Sequence, residues 1–205
     1  MSRSWATDAL TSFRKEYKTQ APQIMRLQQI CCGFLPPDDG EIKELENGRL
    51  KELLSILEEV SGKVLIWATW THDIKKIRKA VAEHYGEDSV TTFYGGTPQE
   101  ERQETVDNFQ DPSHPLRFFV GQPKTGGFGL TLTEAKTVIY YSNSYDLEIR
   151  LQSEDRAHRI GQDSNVTYID LVSPDTVDEK IIEALQNKVN LATQVFGEAT
   201  REWLQ

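Results

Sequence analysis

Val64-Leu-Ile-Trp-Ala68 is an unbroken apolar run, too short for a helix and preceded by the turn pair Ser61-Gly62, so it reads as a strand buried on both faces. A helical stretch follows from near Thr71 to Gly86, and Val90 to Tyr94 is the next short apolar run. Strand, helix and strand at this spacing predict a parallel pair with a crossover helix. The same rhythm continues through Leu116 to Val120, Thr137 to Ser142 and Val166 to Val172, so residues 63 to 172 are expected to form a five-stranded parallel sheet with helices on both faces.

Before the sheet, Leu50, Leu53, Leu54 and Leu57 repeat at helical spacing and end at Ser61-Gly62. Residues 1 to 34 read as helical, with Leu10, Phe13 and Tyr17 on one stripe and Ile24, Leu27, Ile30 and Cys31 on another after Pro22. Leu35-Pro-Pro-Asp-Asp-Gly40 breaks that pattern and reads as a surface loop. Two capping boxes are expected: Thr97 as N-cap with Pro98 and Glu100 behind it, and Thr176 with Glu179 before a long final helix.

With 205 residues, 38% hydrophobic and 27% charged, the chain has the composition of one globular core with added elements. Its net charge of −9 argues against a generally basic nucleic-acid coat and leaves room for a local basic cleft. The longest apolar run is far short of the roughly 20 residues that span a bilayer. Met1-Ser-Arg-Ser-Trp5 has no signal-peptide core behind it. A soluble, intracellular protein that is neither secreted nor bound to membrane is expected. Cys31 and Cys32 are neighbours without zinc-ligand spacing, so they are expected as buried small hydrophobes, and no carboxylate cluster marks a metal site.

Two segments carry candidate chemistry. In Gln152-Ser-Glu-Asp-Arg156-Ala-His-Arg159, a helical repeat of about 100° per residue brings Gln152, Arg156 and Arg159 onto one outward face, with Leu147, Leu151 and His158 turned to the core. Paired guanidinium groups suit phosphate, whereas Asp155 and Arg159 also suit an ordinary surface ion pair. Between the third and fourth strands, Lys124-Thr-Gly126-Gly127-Phe-Gly129-Leu-Thr131 lies where ligands bind in open parallel sheets. Its glycines fit either a backbone approach to phosphate or a tight turn with no ligand. The run is not a phosphate loop, because no Gly-x-x-x-x-Gly-Lys-Ser/Thr occurs, and its spacing fails the dinucleotide fingerprint.

Taken together, Thr125-Gly-Gly-Phe-Gly-Leu-Thr-Leu132 and Gln152-Ser-Glu-Asp-Arg-Ala-His-Arg-Ile-Gly-Gln162 resemble the C-terminal RecA-like lobe of Swi/Snf-type helicase-like ATPases of the second helicase superfamily. Val64 to Trp70 resembles motif IV, and Tyr94-Gly-Gly-Thr-Pro98 with Arg102 and Phe109 resembles the segment after it. Arg26 to Cys31 resembles the inter-lobe segment and Thr176 to Ile182 the end of the lobe, so the likeness covers roughly residues 24 to 190.

The resemblance implies a three-layer α/β/α lobe at residues 51–175, an inter-lobe helical lead-in at 1–50 and a helical extension at 176–205. It also implies half of an ATP-dependent DNA translocase. ATP and Mg2+ would be held by an N-terminal RecA-like lobe of the same protein, with no cofactor retained by this lobe alone. Arg156 and Arg159 would act across the cleft, Gln152 would hold their geometry, and Gly127 and Gly129 would approach the nucleotide. Gly96, Thr97, Lys124 and Thr131 would contact the DNA backbone without regard to sequence. Location would be cytoplasmic or with the nucleoid.

Three departures bear on single DNA contacts: Gln122-Pro-Lys-Thr125 replaces the family's usual Ser-Thr-Arg-Ala, Thr131 its Asn, and Tyr145-Asp-Leu147 its Trp-Asn-Pro. The long insertions of eukaryotic remodellers are absent, which fits a compact bacterial or viral member. Two other readings stand beside this one: a non-catalytic interaction module on the same fold, and a nucleotide- or sugar-nucleotide-binding enzyme with a similar sheet.

Overall fold

In the computed structural model, residues 23–37, 41–125, 130–158 and 165–188 are described. Helix α1 (Gln23–Cys31) turns at Gly33 into β1 (Phe34–Leu35), which pairs antiparallel with β2 (Lys43–Glu44). This small sheet corrects the expectation of helix to residue 34 and surface loop from 35: Phe34 and Leu35 are 3% and 1% exposed. A strand of two residues has no period to read. The stripe of residues 1 to 22 lies outside the described residues.

Helix α2 (Arg49–Glu59) buries Leu53 and Leu57, as its leucine spacing predicts. Then come β3 (Lys63–Trp67), α3 (Thr71–Tyr85), β4 (Val90–Phe93), α4 (Gln99–Gln110), β5 (Phe118–Gly121), β6 (Ala135–Tyr140), α5 (Leu147–Ala157) and β7 (Thr167–Asp170). Residues 177–188 form helix α6. The expected five strands are all present, all parallel, in the order β4-β5-β3-β6-β7.

Strand β3 lies at the centre and alternates between two cores. Val64, Ile66 and Ala68 pack with Leu53 and Leu57 of α2 and Ile74, Ile77 and Val81 of α3. Leu65 and Trp67 pack on the other side with Val106 and Phe109 of α4 and Ala157 of α5. Three layers follow, the RecA-like arrangement expected, because a strand apolar from Val64 to Trp67 has to be covered twice. Gly86 ends α3 in a left-handed conformation (φ 97°), where a side chain would be strained.

The first capping box is replaced by a tighter turn. Helix α4 starts after Pro98 without a side-chain cap. The Thr97 hydroxyl instead accepts the Tyr94 N–H (3.0 Å) and donates to the Thr92 carbonyl (3.3 Å). At the second box Thr176 does cap, accepting the Asp178 N–H at 3.2 Å. The Asp178 carboxylate accepts the Ser173 N–H at 3.2 Å, three residues before the cap. Asp178 also pairs with the buried Arg49. That guanidinium donates to the carbonyls of Cys31, Tyr141 and Leu171, so it ties α1, β6 and β7 to the start of α6. Cys31 and Cys32 are free and buried, as expected, and burial pushes the Cys31 thiol up to about 11.

Two outcomes test this packing. A Cβ on Gly121 would lie 2.7 Å from the Trp67 ring and 3.3 Å from Phe119. Gly121→Ala should therefore destabilise by about 1–3 kcal/mol in chemical denaturation. Gly95→Ala, which meets nothing within 4 Å, should be close to neutral. The second outcome concerns Asp73, which is wholly buried. Burial pushes its pKa from 3.8 to about 7, against the pull of Cys32, Arg49 and Lys76. Because the folded state holds the proton more tightly, this group's stabilisation is full below the unfolded pKa and is lost as pH rises towards about 7. Denaturation measured across that range should show the decline in the native chain, and Asp73→Asn should remove it.

Candidate functional site

The last register of the sheet sets Phe93, Gly121, Trp67, Tyr140 and Asp170 in one row along its carboxyl edge. From β3 the chain builds β4 and β5 on one side, then crosses to β6 and β7 on the other. The strand order therefore reverses at β3, the place where open parallel sheets bind ligands.

An arginine lies over each ring of this row. The Arg102 guanidinium is 5.4 Å from the Phe93 ring centre, Arg156 is 5.3 Å from Trp67 and Arg150 is 3.6 Å from Tyr140. Each such contact is worth about 0.5–2 kcal/mol. Gly121 stands between Phe93 and Trp67 and leaves room for the indole.

Their polar partners separate the three. Arg102 Nε donates to the Thr97 carbonyl at 3.2 Å. Arg150 donates to both Asp170 oxygens (2.6 and 3.2 Å), to Glu154 (2.5 Å) and to Asn143 (2.9 Å). Arg156 is 7% exposed, and its buried Nη1 has no hydrogen-bond partner. Burial lowers its pKa, with only Tyr140 pulling the other way. A guanidinium keeps its charge regardless. The site therefore holds a buried cation with an unused donor.

Helix α5 presents Arg156 in a way the helical projection did not anticipate. Asp146 caps its start by accepting the Glu148 N–H at 3.0 Å. The helix ends at Ala157, with His158 already extended (φ −120°, ψ 124°). Gln152 is exposed and Arg156 buried, so these two do not share one outward face. Arg156 points into the protein, while Leu151, expected in the core, is 44% exposed. Leu147 is half-buried and His158 is exposed. Gln152 is exposed, and its amide donates to Glu148 at 2.9 Å. The short polar face Ser153, Arg156 and Ala157 is what α5 buries.

Gly127, Gly129 and Arg159 lie outside the described residues. The glycine run's flanks do reach this site: the Leu132 N–H donates to the Arg156 carbonyl at 2.8 Å. At the other flank Gln122 bonds Thr125 and the Thr69 carbonyl, and Lys124 is exposed. Gly96 is exposed and Thr131 is half-buried. Thr97 is 9% exposed, with its N–H and hydroxyl both used inside its turn. Arg150 was missed by the sequence reading; its spacing of i, i+4 from Glu154 was the available signal. Among the described residues, no group of three or more His, Cys, Asp and Glu could hold a metal ion, and no helix is long and apolar enough to cross a membrane.

The RecA-like sheet with an arginine helix over its switch point defines a helicase-type lobe, and the helicase conserved C-terminal domain family matches residues 47–161. The chain belongs to that family and is a C-terminal lobe of a Snf2-type helicase-like ATPase. It is 30% identical over 96% of its length to the mouse SWI/SNF-related matrix-associated actin-dependent regulator of chromatin subfamily A member 1, of which the match covers 20%. ATP-dependent helicase FUN30 of Saccharomyces cerevisiae is 30% identical over 88% of this chain and 17% of its own. The crystal structure of the C-terminal part of the Fun30 ATPase domain superposes with a TM-score of 0.61 at 27% identity, covering 68% of this chain and 46% of that one. The chain spans about a fifth or less of the length of these curated relatives.

A buried guanidinium with an unused donor is a local cost. Arg156→Met, which keeps the stem over Trp67 and removes the charge, should stabilise the chain by about 1 kcal/mol in chemical denaturation. The well-paired Arg150 should respond in the opposite direction to the same substitution.

Proposed function

We propose that this chain is the second motor lobe of an ATP-dependent DNA translocase, and that Arg156 and Arg159 act on ATP bound by a first RecA-like lobe of the same protein. The observation that carries the reading is the buried Arg156 Nη1 without a partner at the strand-order switch. Phosphate oxygens suit that donor, since a charge-assisted bond would satisfy it and offset its burial. The names of the relatives, among them ATP-dependent helicases, support ATP as the substrate class.

Phosphoryl transfer asks the protein for positioning and charge neutralisation. Magnesium bound with the nucleotide would neutralise part of the phosphate charge. Residues of this chain supply the rest: Arg156 and Arg159 grip the transferring group, and Gly127 and Gly129 bring backbone N–H groups close. Gln152, at the exposed side of α5, exchanges its Glu148 bond for the arginines when the lobes close. Opening of the lobes withdraws the arginines, and the cycle moves the pair along a DNA strand.

Exposed Gly96 and Lys124, with Thr131, contact the DNA backbone, while Thr97 contributes through the turn it holds. Such a protein works inside the cell wherever its DNA lies, and the chromatin-related names of the relatives favour chromatin.

Steady-state ATP hydrolysis with and without DNA tests the reading. The 205-residue chain alone should hydrolyse none, and the longer two-lobe protein should be stimulated by DNA. In the longer protein, Arg156→Ala or Arg159→Ala should lower turnover by about 10³ or more while nucleotide binding persists. Arg159→Lys should fail nearly as badly, because an ammonium lacks the planar fork. Normal turnover by the alanine variants, or robust hydrolysis by the single lobe, would overturn it.

A further inference from the structure

Helix α5 carries the candidate arginine yet has almost no apolar face with which to dock. Its buried residues are Ser153, Arg156 and Ala157, of which Ala157 alone joins a hydrophobic core, and Leu151 faces solvent. Arg156 lies over Trp67 with its buried Nη1 unpartnered. Its place over Trp67 is therefore inherited from where the helix sits.

What seats the helix is polar. Arg150 is 14% exposed at its side chain, stacks 3.6 Å from the Tyr140 ring centre and forks onto Asp170 at the end of β7. Tyr140 Oη and Ser153 Oγ lie 2.7 Å apart, and Ser153 Oγ donates to the Arg150 carbonyl at 2.7 Å, which closes the knot on the helix side. Asn143 links the same group to the N-terminal helix: its amide donates to Asp170, and its carbonyl accepts the Gln28 side chain at 2.6 Å.

We infer that Arg150 is the positioning residue of this site, fixing α5 on Tyr140 and Asp170 so that Arg156 meets Trp67. The inference rests on the reading of Arg156 as the functional arginine, but its test needs neither ATP nor a second lobe. A bidentate Arg–carboxylate pair fixes direction as well as distance, and a flat guanidinium on a flat ring removes the remaining rotation.

The experiment is nuclear magnetic resonance of the Arg156 Nε–H in the 205-residue chain, with Trp67→Phe identifying the contribution of the indole ring current. Arg150→Ala should remove most of the ring-current shift, and Asp170→Ala should do the same. The double variant should lose no more than either single one, because the pair acts as a unit. Should Arg150→Ala fail to fold, Arg150→Lys carries the test: it keeps the charge, loses the fork and the stacking, and should still lose most of the shift. An unmoved Arg156 signal in a folded Arg150 variant, or losses that simply add, would overturn the proposal. Failure of the ATP reading would show up separately, as normal turnover by Arg156→Ala in the longer protein.

Discussion

The structure depends most on one buried cation, Arg49. Where β6 and β7 end, the carbonyls of Tyr141 and Leu171 have lost their strand neighbours, and this guanidinium takes both. It also takes the Cys31 carbonyl at the end of α1, the Ser173 hydroxyl before α6 and the Asp178 carboxylate in its first turn. Segments far apart in sequence are thereby fastened to one edge of the sheet. Removing one partner of such a buried pair typically costs about 3–5 kcal/mol, since the other charge is left without compensation. The helices before and after the sheet are thus built into the lobe rather than hung from it.

The two faces of the sheet are closed by different chemistry. Towards α2 and α3 the core is almost wholly apolar, and the buried Asp73 carboxylate there is pushed towards its neutral form. Towards α4 and α5 the deeper residues are equally apolar, but at the carboxyl edge each aromatic ring is covered by an arginine. A guanidinium can lie flat on a ring and still direct its N–H groups sideways, so it closes the core while keeping hydrogen-bonding capacity at its rim. Arg150 spends that capacity on Asp170 and Glu154, and Arg156 keeps one donor unspent. The two residues are chemically identical, so it is their neighbours that leave one fully paired and the other with a free donor.

Much of this architecture was legible in the chain. Strands apolar at successive positions have to be buried on two sides, which gave the parallel sheet and its order of elements, with strand ends within a few residues of those observed. The leucines of α2 and the glycine ending α3 were read correctly for equally local reasons. Thr97 was misjudged because its hydroxyl has two competing local uses, a helix cap or a turn, and the turn won by bonding Tyr94 and Thr92. The β1 and β2 pair was unreadable, as two-residue strands acquire stability only from the partner that covers them.

The sequence by itself determined the class of fold and the presence of an arginine-bearing segment after the fourth sheet strand, because both follow from periodicity and residue chemistry along the chain. It could not determine which way that segment faces. Helical projection turned Arg156 outward and Leu151 inward, and the reverse is true. The reason is physical: a helix with a weak apolar stripe is oriented by its strongest contacts, here Arg150 with Tyr140 and Asp170. Two of those three residues lie on strands that come beside α5 only once the sheet has formed. Tertiary structure alone decided that Arg156 stacks on Trp67, at the strand where the order of the sheet reverses.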